Sequence, residues 1–198
     1  MMFWQNIYLE CSIKKRGEKR NMEEVKAYRL IDGKRIETGK IYQRGSSWDK
    51  GEEDYYILGV NNWIINSKGE FLVQKRSITK KNNPGKWSST NGLVQLGETA
   101  IDTVQRETKE ELGIEINKNQ IFLFKESQIT GDHLLGDIFI TYANVNLENV
   151  KVQESEVESV RFVSLEELLN LDISTTCSYI KELGPKIFDE FKHHKWEK

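Results

Sequence analysis

Cysteine is scarce in this chain of 198 residues, which has only Cys11 and Cys177, far apart and without the spacing of metal ligands. This usage suits a reducing compartment, so we expect a cytoplasmic location. An excess of basic residues is also absent, because 29 Lys and Arg against 31 Asp and Glu leave a formal charge of −2. A nucleic-acid partner is therefore disfavoured, although a small nucleotide is not.

Long apolar runs, internal repeats and low-complexity tracts are missing as well. Hydrophobic residues make up 37% of the chain, aromatic residues 10% and charged residues 30%. This composition argues against a disordered chain, a coiled coil and a membrane protein. The length is sufficient for one domain that buries a core without disulfides or metal.

The hydrophobic pattern predicts strands, a helix, more strands and then helices, which favours an α/β fold with one mixed sheet packed between helices. Residues 1–21 differ in character from the rest of the chain, and we interpret them as an N-terminal extension or the product of an upstream start. The main domain is predicted to span residues 22–172 and to begin with a hairpin turning at Asp32-Gly33.

Helices are predicted towards the end of the chain. A short helix in VSLEELLNL begins at a Ser164 cap, with Glu167 three residues later. Residues 173–198 are predicted to form a C-terminal helical tail, in which a helix runs from Ser174 and is interrupted at Gly184-Pro185.

The segment GLVQLGETAIDTVQRETKEELGI, residues 92–114, carries the functional signal. Its periodicity predicts a helix over residues 99–112, closed by Gly113 as a left-handed cap. Side chains three and four residues apart are neighbours on a helix, so Glu107, Glu110 and Glu111 share one face.

An ordinary solvated helix face explains these glutamates poorly. Carboxylates in the last two turns oppose the helix dipole by roughly 0.3–1 kcal/mol each, and they also repel one another. A divalent cation with oxygen ligands would reverse the sign of these effects. We expect Mg²⁺, with Mn²⁺ as a substitute, because Mg²⁺ accepts carboxylates while keeping water and phosphate oxygens.

The spacing G-x5-E-x7-R-E-x-x-E-E-x-G-I within residues 92–114 resembles the Nudix box of the Nudix, or MutT-like, hydrolases. The resemblance implies a Nudix-type α/β/α sandwich and Mg²⁺-dependent hydrolysis of a diphosphate linkage in a small nucleoside-diphosphate-type substrate. It also implies a set of site residues. Their implied roles are metal binding for Glu107, Glu110 and Glu111, support of the site for Glu98, orientation of the carboxylates for Arg106, and a metal-facing backbone carbonyl at Asn91.

The resemblance extends over about residues 28–170 to the branch that contains isopentenyl diphosphate isomerase. It implies that Arg76 and Lys80 contact diphosphate oxygens, although an ordinary basic loop explains them equally well. The isomerase itself is a weaker alternative, because the positions of its cysteine and metal-binding histidine hold Asn91 and Leu93. A Nudix domain that senses a ligand without cleaving it is a second alternative.

Several points stay open at the level of sequence. The general base could be Glu107 or Glu111, or a loop residue such as Glu154 or Glu156. Substrate specificity is expected in residues 32–54 and 126–136, which we interpret as loops. Neither the substrate nor a homodimer can be derived from the chain.

Overall fold

The computed structural model describes residues 23–47, 51–131 and 133–196. The predicted extension, residues 1–21, lies outside the described residues, as does Cys11. The strands of the described part are β1 (Glu24–Ile31), β2 (Lys34–Gln43), β3 (Tyr55–Ile65), β4 (Phe71–Arg76), β5 (Trp87–Ser88), β6 (Thr90–Leu93), β7 (Ile121–Gly131), β8 (Leu134–Tyr142) and β9 (Val157–Val163). Its α-helices are α1 (Ala100–Leu112), α2 (Leu165–Asn170) and α3 (Tyr179–His193).

The strands form one mixed sheet, as the sequence predicts. The order β2-β1-β3-β4-β5 is continuous, while β6 and β8 also pair with β3, and β9 pairs with β4. Strand β8 runs parallel to β3, and the other pairs are antiparallel. Strand β3 is therefore the centre of the sheet, and its two faces decide what the helices contact.

Alternation along β3 separates two layers of core. Leu58 and Val60 face α1, where they pack in one cluster with Val104. Trp63 and Ile65 point to the opposite face and pack with residues of α3 such as Ile180. Because successive side chains of a strand point to opposite faces, this sequence of apolar residues requires a helix on each side. The result is the α/β/α sandwich that the sequence predicts.

The C-terminal helix corrects one expectation. Helix α3 begins at Tyr179 rather than Ser174, and it continues without a break through Gly184 and Pro185. Pro185 is exposed, whereas Gly184 is buried so closely against α2 that a Cβ would lie 2.6 Å from Leu168 Cδ2. Packing of the buried face of α3 thus outweighs the local preference of proline to end a helix.

The segments expected to be specificity loops are a second correction. Residues 34–43 of the first segment form β2, and residues 126–136 form the end of the β7–β8 hairpin, in the ranges that the structure describes. The polar composition of β2 reflects an exposed edge strand rather than a loop, since β2 pairs only with β1 among the described strands. The short strands β5 and β6 were also missed by the sequence pattern.

Candidate active site

Helix α1 ends at Gly113, the cap that the sequence predicts, and it begins one residue later than predicted, after a cap at Thr99. The side chain of Thr99 accepts a hydrogen bond from Asp102 N, and the Asp102 side chain accepts one from Thr99 N, which completes a capping box. Gly113 has φ 68°, and its N–H donates to the Lys109 carbonyl at 2.9 Å. The buried face carries Val104, Thr108 and Leu112, so the orientation of the glutamate face is determined.

A polar pocket lies where this glutamate face meets β6 and the segment after β4. Its described lining residues are Glu23, Arg44, Arg76, Lys80, Asn91, Gly92, Arg106, Glu107, Glu110, Glu111, Gln153 and Glu156. The structure thus brings together every site residue predicted from the sequence except Glu98, which contacts the site through Arg106. Of the other base candidates, Glu156 lines the pocket, whereas Glu154 is exposed and outside its described lining.

Arg106 organises the acidic side of the pocket. Its guanidinium binds Glu98 through two hydrogen bonds, of 2.6 and 3.0 Å, and contacts Glu107 at 2.7 Å and Glu110 at 3.1 Å. It also donates to the Leu93 carbonyl at 3.0 Å, which ties α1 to β6. Burial opposes ionisation of Glu98, but the hydrogen bonds from Arg106 and Thr103 outweigh it and lower the Glu98 pKa. This geometry supports the orienting role expected of Arg106.

Glu107 and Glu111 are carboxylates withdrawn from water. Burial raises the pKa of Glu107 to about 7, against the opposing charge of Arg106. Burial and the charge of Glu107 raise the pKa of Glu111 to about 8, against a 2.7 Å hydrogen bond from Gln74 Nε2. Glu111 is buried and Glu107 is partly buried, and the charge of Glu107 disfavours ionisation of Glu111, so a cation would stabilise this environment.

Gly92 makes room for Glu107. A Cβ added at Gly92 would lie 2.1 Å from Glu107 Oε1 and 2.2 Å from its Cδ, so only glycine permits this approach. The first glycine of the predicted box is therefore required by the position of the carboxylate that follows fifteen residues later in the chain.

The backbone of β6 also presents oxygen to this region. Val94 N donates to the Leu58 carbonyl at 2.9 Å, next to the pairing of Gly59 with Leu93. Hydrogen-bonded and non-hydrogen-bonded pairs alternate in an antiparallel ladder, so the Leu93 and Asn91 carbonyls both point away from β3. The Leu93 carbonyl meets Arg106 there, and the Asn91 carbonyl belongs to the same row.

These residues fit a hard divalent cation, although they are not yet arranged around one. Within the described ranges, no group of three or more His, Cys, Asp or Glu side chains forms a ready metal site, because Glu107 and Glu110 are turned to Arg106. The donors are nonetheless carboxylate and carbonyl oxygens, and the carboxylates of Glu107 and Glu111 have a raised pKa. A cation would therefore compete with Arg106 for them.

The cationic side of the pocket comes from the end of β4, from the segment after it and from the N-terminal hairpin. Arg76 Nε donates to the Asn82 carbonyl at 3.1 Å, and Lys80 pairs with Glu156 at 2.7 Å. Arg44, which sequence reasoning missed, pairs with Glu23 at 2.8 Å. No local pattern places this hairpin beside the box, because tertiary contacts bring it there: β1 pairs with β3, and Leu96 N donates to the Glu24 carbonyl at 2.7 Å.

Comparison with known proteins agrees with this geometry. A NUDIX domain profile matches residues 56–179. The chain is 33% identical over 145 residues to an uncharacterized Nudix hydrolase of Listeria monocytogenes, covering 70% of this chain and 80% of the relative. The chain belongs to the Nudix hydrolase family. It is a hydrolase, and members of this family generally hydrolyse nucleoside diphosphate derivatives with divalent cations.

Two further similarities locate this Nudix hydrolase among its relatives. A MutT protein from Methanosarcina mazei Go1 superposes with a TM-score of 0.55 at 30% identity, over 70% of this chain and 96% of that one. The isopentenyl-diphosphate Delta-isomerase of Escherichia coli is 29% identical over 118 residues, which cover 57% of this chain and 64% of the isomerase. No helix in the described ranges is long and apolar enough to cross a membrane.

The positions aligned with the isomerase's reactive groups serve other purposes here. Leu93 is 3% exposed and packs in the core with Val25 and Leu134. Asp137 on β8 accepts hydrogen bonds from Arg35 of β2 at 2.7 Å and from Ser127 N of β7 at 2.8 Å. Both side chains are therefore engaged in structural contacts.

Proposed function

We propose that this Nudix hydrolase cleaves a diphosphate linkage in a small nucleoside-diphosphate-type substrate and requires Mg²⁺, for which Mn²⁺ can substitute. The proposal is supported chiefly by one observation. The glutamates of α1 and the cations Arg76 and Lys80 line the same polar pocket. A pocket with both signs of charge suits a metal ion together with the anionic diphosphate that it neutralises. The cytoplasmic location stays a prediction.

The proposed metal ligands are Glu107, Glu110, Glu111 and the Asn91 carbonyl. When bound there, Mg²⁺ would neutralise charge on the diphosphate and polarise the attacking water. Glu98 would act indirectly, because it holds the guanidinium of Arg106 when Glu107 and Glu110 turn towards the ion. Arg106 would then keep the carboxylates oriented and limit their repulsion.

Arg76 and Lys80 would bind the phosphate oxygens of the substrate. Lys80 is 11% exposed in its side chain and pairs with Glu156 in the folded protein. The substrate would therefore replace a carboxylate partner of Lys80 with a phosphate, so that no cation is left buried alone. Proton acceptance is assigned to Glu107 or Glu111, which are the acids of the pocket with a raised pKa.

A substrate panel tests this function. The purified chain would be incubated with nucleotide sugars, dinucleotides and coenzymes, with Mg²⁺, with Mn²⁺ and with a chelator, and the products separated. We expect release of a nucleoside monophosphate or phosphate that depends on the metal. Ligand binding without turnover would support a sensing domain instead, and interconversion of isopentenyl and dimethylallyl diphosphates would support the isomerase alternative.

A further inference from the structure

A buried polar network connects helix α3 with the floor of the pocket. Tyr179, the first residue of α3, is 1% exposed, and its hydroxyl lies 3.2 Å from Ser89 N, 3.0 Å from Ser89 Oγ and 3.2 Å from Asn91 Nδ2. Asn91 Nδ2 also donates to the Ser89 carbonyl at 2.6 Å. The hydroxyl of Tyr179 thus contacts both ends of the segment from Ser89 to Asn91.

The orientation of this network follows from which groups can only donate and which can only accept. The Trp63 indole N–H can only donate, so it selects the oxygen of the Asn61 amide and turns the amide nitrogen towards Ser89 and Asn91. Asn61 Nδ2 therefore donates to Asn91 Oδ1. The Ser89 carbonyl can only accept, which directs the Asn91 nitrogen to it and to Tyr179. Asn91 has no alternative orientation that satisfies these partners.

Locking the Asn91 side chain also restrains its backbone. Asn91 lines the pocket, and its carbonyl points away from β3 in the same row as the Leu93 carbonyl that binds Arg106. Strand β6 is only four residues long and pairs with β3 alone among the described strands. The side-chain network therefore supplies restraint that a short strand with one neighbour lacks.

We propose that Tyr179 is a positioning residue of the active site: through the Asn91 side chain it holds the Asn91 carbonyl in place for the divalent cation. This inference rests on the proposed function and extends it to α3, which sequence analysis treats as part of a tail outside the main domain. Groups that orient metal ligands in this way commonly change metal affinity by about 10-fold to 100-fold when removed.

Binding of Mn²⁺ alone tests the proposal without any substrate. Metal-free full-length protein would be titrated with Mn²⁺ and the free ion followed by electron paramagnetic resonance. Tyr179→Phe keeps the ring in the core and removes the hydroxyl, so we expect Mn²⁺ affinity to fall by about 10-fold. Tyr142→Phe is the matched control, since its ring also contacts α3, at Phe191, but its hydroxyl meets only Asn144 among the side-chain hydrogen bonds of the described residues. We expect that control to stay within about twofold of wild type.

A double-mutant cycle separates positioning from a general loss of stability. If Tyr179 acts through Asn91, adding Tyr179→Phe to Asn91→Ala should weaken Mn²⁺ binding no further than Asn91→Ala alone. Losses that multiply, or a Tyr179→Phe variant that binds like Tyr142→Phe, would overturn the proposal. If Tyr179→Phe does not fold, Ser89→Ala takes its place, with a loss of several-fold expected because the hydroxyl between Asn61 and Tyr179 is removed.

The outcomes also distinguish this inference from the hydrolase function. Wild-type protein that binds Mn²⁺ with the expected variant pattern, but hydrolyses nothing in the panel, would support the positioning role and overturn the hydrolase. Hydrolysis with unchanged Mn²⁺ binding in Tyr179→Phe would overturn the positioning role alone. Wild-type protein that binds no Mn²⁺ would overturn both.

Discussion

Glu111 is more deeply buried than the other two glutamates of the pocket on α1, Glu107 and Glu110. Its side chain is nearly inaccessible, accepts a hydrogen bond from Gln74 and lies close enough to Glu107 for their charges to repel. Such a carboxylate destabilises the folded protein at neutral pH unless a cation compensates it. A function that uses the charge explains why the chain retains it.

Glu111→Gln is therefore expected to separate activity from stability. The amide keeps the shape and can still accept from Gln74, so the free energy of unfolding at pH 8 should be unchanged or higher. Turnover should fall by more than about 100-fold, since a direct ligand matters more than its supporting groups. The measurements are urea unfolding and turnover. Glu115→Gln is the control, because Glu115 is exposed and pairs with Lys109 outside the pocket. Unchanged turnover would exclude these carboxylates as the metal site.

Gly92→Ala tests the close approach of Glu107 to β6. The new Cβ would meet the flexible end of a side chain rather than backbone, so the fold should survive while Glu107 is displaced. We expect Mg²⁺-dependent turnover to fall by at least about 10-fold, comparable with the loss of a group that orients a ligand. A variant with normal turnover would show that Glu107 can work from another position.

At the scale of elements, the N-terminal cap of α1 determines where the glutamates lie. The helix begins after Thr99, whose hydroxyl accepts from Asp102 N at 3.2 Å. We expect Thr99→Ala to lower the free energy of unfolding by about 0.5–2 kcal/mol, whereas Thr99→Ser should restore most of it. Urea titration of the wild type, Thr99→Ala and Thr99→Ser provides the comparison. Equal stability of the two variants would contradict a capping role.

Asp102 gives the same cap a dependence on pH. The hydrogen bond from Lys118 and those from Thr99 lower the pKa of Asp102 below its ordinary value of 3.8. A lowered pKa in the folded state means that the contribution to stability is present above pH 3.8 and is lost as the pH falls through the folded pKa. The difference in melting temperature between wild type and Asp102→Asn should therefore be largest near neutral pH and shrink in acid. A constant difference would contradict this account.

At the scale of the whole molecule, the pocket depends on segments that are distant in the chain. The β1–β2 hairpin contributes Arg44, α1 contributes the glutamates, and the stretch before β9 contributes Glu156. A ligand that binds across these segments stabilises the folded state by mass action, because the unfolded chain has no such site.

Mg²⁺ should accordingly raise the stability of the wild-type protein. At a concentration about 100 times its dissociation constant, the free energy of unfolding should rise by about 2.7 kcal/mol. Chelation should reverse the gain, and Glu111→Gln should not show it. Thermal unfolding with and without Mg²⁺ measures the effect, and a gain of equal size in Glu111→Gln would place the ion elsewhere.

The sequence by itself determined the family, the helix that carries the glutamates and most of the longer strands. The spacing of apolar residues, the caps at Gly113 and Ser164, and the box in residues 92–114 are local signals, because each depends only on residues close together in the chain. Such signals predict that the glutamates share a helix face. They also predict Arg106 beside Glu110, which the structure places at 3.1 Å.

Only the tertiary structure decided what faces those glutamates. The approach of Gly92 to Glu107, the position of Arg44 in the pocket and the contact of Tyr179 with Asn91 join residues that are far apart in the chain. Strand pairing and the packing of α1 and α3 on the sheet bring them together. Tertiary packing likewise keeps α3 helical through Pro185, although proline locally favours the end of a helix. Local patterns depend on neighbours a few residues away, whereas a site depends on the sheet order, which no single segment contains.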